Sequence, residues 1–162
     1  MKGVLSKVES FLNKIIEIAF IICGGALLIL LGIEVFFRYV LNNALSWPEE
    51  VAGFVFVWFT LLGTAYLVNE NSHISFSILS SKGSRKVKTI LFILSQIAIL
   101  AYAYFMIVPG YNYVKYFGFV LSPAASIKMK WVYLAIPISG ILIFIYVILN
   151  FIKFLVANNE SK

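Results

Sequence analysis

Charge is what this sequence has least of. Of its 162 residues only 12% are Asp, Glu, Lys or Arg, where a soluble domain carries about 25%. So little polar surface cannot coat a water-soluble globule. With 62% hydrophobic residues and a mean hydropathy of +0.97, lipid is the solvent that fits. Cysteine is nearly missing: Cys23, inside an apolar run, stands alone. One thiol excludes an internal disulfide and any cysteine zinc spacing, and Ile22 stands where a lipoprotein cysteine needs a small neighbour. Histidine is also single, so His73 cannot supply a bis-histidine haem site or a multi-histidine metal site. No nucleophile–base set, phosphate loop or metal cluster is visible, so no cofactor and no enzyme activity are expected. The formal charge of +6 would suit nucleic acid. The basic residues lie beside hydrophobic runs, however, where anionic lipid headgroups account for them.

What is present is four long apolar runs. A helix needs about 20 mostly apolar residues to cross the hydrocarbon core. The pattern predicts an all-α integral membrane protein, one membrane domain over 1–162, with helices at about 15–39, 47–68, 89–114 and 131–156. The first run is uncharged from Ile18 to Ile33 and continues to Tyr39. That is longer than the 7–15 residues or so of a signal-peptide core, so a retained helix is expected. Lysine and arginine set the orientation. The N-terminal tail, the loop after the second run and the C-terminal end hold nine of them (Lys2, Lys7, Lys14, Lys82, Arg85, Lys86, Lys88, Lys153, Lys162); the opposite side holds Arg38, Lys115, Lys128 and Lys130. Both termini are therefore expected in the cytoplasm. Aromatic residues such as Tyr39, Trp47, Tyr111, Tyr116 and Trp131 gather at the other boundary, which amphipathic rings prefer.

Local signals fit these spans. Ser46-Trp47-Pro48-Glu49 reads as a capping box opening the second helix. Pro109 and Pro137 are expected to kink the third and fourth helices. Ser80-Ser81-Lys82-Gly83-Ser84 reads as a polar turn.

Ionisable residues in a span are functional candidates, because each costs about 2.5–3.5 kcal/mol at mid-bilayer. Glu34 and Arg38 are four apart and can pair on one helix face. An ion pair steadying the helix end is the simpler role; a polar handle for a partner protein is the sharper one. Glu49 and Glu50 complement a helix N-terminus, with partner recognition as the alternative. Trp47 and Trp58 are large anchors, and Trp58 lies three turns in, where packing or a lateral protein contact would hold it. His73 suits surface or interface packing. Gly25 and Gly32, then Thr60, Gly63 and Thr64, form small-residue stripes that let helices approach. The third and fourth helices have no charge in their central runs, and Ser95, Gln96, Ser139 and Asn150 are their main polar groups. The interrupted helices and inverted repeats of a carrier are not evident.

Arg38-Tyr39-Val40-Leu41-Asn42, then Trp47-Pro48-Glu49-Glu50, Trp58, Gly63 and His73-Ile74, then Ser122-Pro123-Ala124, Trp131-Val132-Tyr133, Pro137 and Gly140, occur in an order that resembles the small (DctQ-type) membrane subunit of tripartite ATP-independent periplasmic (TRAP) transporters. The chain departs from that pattern before His73, where Asn69-Glu70-Asn71-Ser72 replaces a basic or glycine-rich stretch. The resemblance implies a bacterial inner-membrane protein that partners a large membrane subunit holding the sodium and substrate sites. It also implies a periplasmic binding protein delivering an organic acid such as a dicarboxylate or sialic acid. Glu34, Arg38, Trp47, Glu49, Glu50, Trp58 and His73 are then the candidate partner-interface residues. The helices are expected to form a compact bundle that braces the large subunit. A small proton-coupled multidrug antiporter is the rival. Its coupling carboxylate should lie deep in the first helix, whereas Glu17 and Glu34 lie toward the two ends. A redox-enzyme anchor is a second rival, opposed by the single histidine.

Overall fold

The computed structural model describes residues 2–80 and 85–159; the side chains at 2–5, 70–80, 85, 86, 88 and 157–159 are not part of that description. The turn expected at Ser80–Ser84 and the side chains of His73, Arg85, Lys86 and Lys88 therefore fall outside the described residues.

Helix α1 spans Lys2–Tyr39, α2 Trp47–Ser80, α3 Arg85–Phe117, α4 Lys130–Tyr133 and α5 Ala135–Asn159. Among the described residues four stretches are long and apolar enough to cross a membrane: Ser6–Tyr39, Trp47–Asn69, Thr89–Phe117 and Lys130–Val156. The helices outrun the apolar stretches that suggest them. At 1.5 Å per residue α1 is about 57 Å long, well beyond the roughly 30 Å hydrocarbon core. Once a helix is nucleated its backbone bonds continue past the lipid boundary, and lysines and serines lengthen it without ending it.

Three local features shape the turns. Asn42 takes a left-handed φ of 48° after α1, with Asn43 N–H donating to the Phe37 carbonyl at 3.0 Å, a conformation that asparagine tolerates better than most residues. Pro137 lies in the first turn of α5, and lacking an N–H it leaves the Tyr133 carbonyl without its usual donor. Leu134, between α4 and α5, keeps helical φ and ψ of −60° and −22°, so the two pieces run on as one span. Pro109 lies within α3 without ending it.

The helices form a row, not the compact bundle expected. α1 packs along α2, α2 along α5 and α5 along α3; α2 and α3 barely touch, and among the described residues no contact closes α1 onto α3. The order is α1–α2–α5–α3. Neighbours α1 and α2 are antiparallel, with Phe20 stacked on Phe59 at 3.9 Å. So are α3 and α5, where Phe92 stacks on Phe154 at 4.6 Å. The closest approach is between α3 and α5. A Cβ on Gly140 would meet the Met106 Cβ at 2.8 Å, and one on Gly110 would meet Ile136 Cγ2 at 2.8 Å. A larger residue at either glycine forces its neighbour to move, and at Gly140 the α3 backbone itself stands in the way. The buried clusters follow the row: Ala65, Ala103, Met106, Ile143 and Val147 join α2, α3 and α5, while Ile16, Leu62, Tyr146 and Leu149 join α1, α2 and α5.

Candidate functional site

Most of the residues singled out from the sequence gather at one end of the row. Glu50 sits in the first turn of α2. Its Oε2 accepts the backbone N–H of Ala124 at 3.0 Å and of Ala125 at 2.6 Å. Those amides belong to the tight turn Ser122–Ile127. There Ser122 N–H donates to the Ile127 carbonyl at 2.9 Å, Ser122 Oγ accepts Ile127 N–H at 3.1 Å, and Ser126 takes a left-handed φ of 53°. A carboxylate receiving two N–H groups at a membrane boundary makes charge-assisted bonds, each worth about 1.5–3 kcal/mol. Glu50 therefore reaches across to a loop 74 positions away in addition to lying at a helix start.

Trp58 makes the second tie. Its Nε1 donates to the Trp131 carbonyl, in α4, at 3.0 Å. The half-buried indole thus finds a hydrogen-bond partner for its N–H. Pro48, in the first turn of α2, is fully buried. Together Glu50 and Trp58 pin the α3–α4 connection and the head of α5 onto α2.

Arg38 makes the third tie. Its Nη2 lies 2.6 Å from Glu34 Oε1 on its own helix and 3.7 Å from Glu49 Oε2 across the α1–α2 turn. The expected Glu34–Arg38 pair is present, and Glu49 faces the arginine. Glu49 remains 72% exposed and Arg38 45%, whereas Glu34 is 13% exposed. Trp47 is exposed at the mouth of α2. His73 lies in α2, with its side chain outside the described residues.

At the opposite end a polar node was not legible from the sequence. Tyr146 Oη donates to Asn13 Oδ1 at 2.6 Å, and Asn69 Nδ2 donates to the same oxygen at 3.3 Å. One turn away Lys153 Nζ pairs with Glu9 Oε1 at 2.5 Å. Asn13 thus joins α1, α2 and α5, and both ends of the chain meet at this end of the row. The signal was available as the spacing Glu9, Asn13, Glu17, which lies on one helical face. An open groove of about 450 Å³ runs along that face, lined by Ser6, Glu9, Ser10, Asn13, Lys14 and Glu17.

The small-residue stripes divide. Thr60 and Thr64 donate back to carbonyls of their own helix, Gly63 faces the Phe20 ring, and Gly25 and Gly32 open onto space that none of the described residues fills. Among the described residues no three His, Cys, Asp or Glu side chains gather as metal ligands. The arrangement joins helix to loop and helix to helix; its polar groups hold shape.

Comparison with known proteins bears on this arrangement. The family model described as "Tripartite ATP-independent periplasmic transporters, DctQ component" matches residues 27–156. The sialic acid TRAP transporter small permease protein SiaQ of Vibrio cholerae serotype O1 is 28% identical over 85% of this chain and 79% of its own length. The C4-dicarboxylate TRAP transporter small permease protein DctQ of the same organism is 25% identical over 67% of this chain and 47% of its own. The sialic acid TRAP transporter permease protein SiaT of Haemophilus influenzae is 26% identical over 74% of this chain, but that match takes up only 20% of the relative.

Proposed function

The chain belongs to the DctQ components of tripartite ATP-independent periplasmic transporters, and from that premise we propose that it is the non-catalytic small subunit of a sodium-coupled importer of organic acids. It is a multi-pass protein of the inner membrane. In this reading it braces a large transport subunit, which carries the sodium and substrate sites, and helps seat a periplasmic binding protein. Both termini face the cytoplasm, so the Glu50 end faces outward.

The observation that carries the reading is the use made of the family-like residues. Glu50 with Ala124 and Ala125, and Trp58 with the Trp131 carbonyl, meet as ties within the chain. They give the outward end a fixed shape. Relatives named for sialic acid and for C4-dicarboxylates support an organic acid as cargo. The match to one fifth of a longer permease supports a large neighbour in the membrane. Glu34, Arg38, Trp47 and Glu49 are the residues left to meet a partner at the outward end, and His73 is assigned to the interface with the large subunit.

The test is co-purification in mild detergent with the large permease, coupled to uptake by the whole transporter. Arg38→Ala and Glu50→Ala are expected to lower association and uptake several-fold with substrate preference unchanged. Altered preference with assembly intact would count against the reading. So would proteoliposomes holding only this chain that drive a solute against its gradient, the behaviour of a proton-coupled antiporter.

A further inference from the structure

We infer that the hairpin between α3 and α4 is a lipid anchor that places an apolar edge in the headgroup–acyl boundary and its lysines on anionic phospholipid headgroups. The backbone is paired here as in a short β-hairpin: Lys130 N–H donates to the Gly118 carbonyl at 3.0 Å and Met129 N–H to the Val120 carbonyl at 2.9 Å. That pairing holds Phe119 and Val120 within about one residue of the level of Trp131, whose ring is 63% exposed. Tryptophan and tyrosine rings settle at the headgroup level, so the hairpin edge lies at that level too. Phe119 is 81% exposed, the highest value for a large apolar side chain among the described residues, and Val120 and Leu121 follow at 56% and 55%.

The edge cannot fold under to hide. Glu50 grips the tip of the hairpin through Ala124 and Ala125, and Trp58 grips its far end through Trp131. Lys115, Lys128 and Lys130 flank it and are exposed, and residues 115–131 hold no Asp or Glu. The Glu50 carboxylate that reaches the hairpin is already engaged by two amides. An apolar edge ringed by uncompensated lysines fits a surface that is greasy on one side and negative on the other. The lysine stems can lie along the acyl boundary while their ammonium groups reach the phosphates. A soluble acidic partner would satisfy the lysines but leave Phe119 in water whenever it departed.

The experiment uses the full chain in nanodiscs of phosphatidylcholine alone or mixed with phosphatidylglycerol. A nitroxide is attached at Val120→Cys in a Cys23→Ser background, with Leu121→Cys as the second position if the first variant does not assemble. The label is expected to be relaxed several-fold more by oxygen than by an aqueous nickel chelate. It should sit deeper when phosphatidylglycerol is present, and Lys115→Gln/Lys128→Gln/Lys130→Gln should abolish that difference. A label open to nickel in both lipids overturns the inference. So does one shielded only after the large permease or the binding protein is added, since the hairpin would then be a protein-docking surface.

Discussion

Helix α1 and the α4–α5 segment are equally apolar over their best windows, each with a mean hydropathy of 2.6, yet 6% of the first window is buried inside the chain against 50% of the second. In water such a difference would follow hydrophobicity. In lipid it cannot, because acyl chains are as apolar as leucine and give no drive to hide one side chain behind another. What separates the two is shape and hydrogen bonding. α5 presents Ala135, Ser139, Gly140, Ile143, Tyr146 and Asn150 along one face, all buried, with Gly140 admitting the backbone of α3. α1 touches its neighbours through Ile16, the Phe20 ring and the Asn13 node, and its glycines at 25 and 32 face away. Close fit holds α5, an inner helix of the row, against α3, while α1 lies along α2 at the opposite edge and leaves its outer side open.

The largest way to break that contrast is at the α3–α5 contact. Gly140→Leu forces a side chain into atoms 2.8 Å from where its Cβ must sit. It is expected to cost about 3 kcal/mol, the upper part of the overpacking range, read as an earlier thermal transition in detergent. Next comes the edge's own tie. Asn13→Ala leaves the Tyr146 hydroxyl without its acceptor at about 1–3 kcal/mol. Cross-linking between cysteines placed on α1 and α5 should fall while α3–α5 cross-linking is unchanged. Least of all for the isolated chain is Gly32→Leu, on the open face of α1. It should leave the melting temperature within the scatter of surface substitutions, about ±0.5 kcal/mol. If that open face receives the large permease, the same variant weakens co-purification. A large loss of stability from Gly32→Leu alone would show that α1 is packed more tightly than the row implies.

The four spans, the start of α2 at Trp47 and the Glu34–Arg38 pair were legible because each depends on residues within a few turns of one another. Hydropathy, proline position and a four-residue spacing are local properties. Glu50 was read as a complement to its own helix, since that is the nearest positive partner in sequence. The amides that it accepts lie in a turn whose position depends on α3, α4 and α5 together. The partner of Trp58 is hidden for the same reason: its acceptor is a carbonyl 73 positions away in sequence. The Asn13–Tyr146 bond leaves no local trace, because 133 positions separate two groups 2.6 Å apart.

The sequence by itself determined that this chain lives in a membrane, how many times it can cross, and which subunit type it resembles, because these rest on composition and on the order of short motifs along one chain. Only the tertiary structure decided that the helices lie in a row, that α5 rather than the equally apolar α1 is an inner helix, and that Glu50 and Trp58 are ties to a distant hairpin. Helix order in lipid is set by small steric gaps and by individual hydrogen bonds, and these exist only once separate helices have come together.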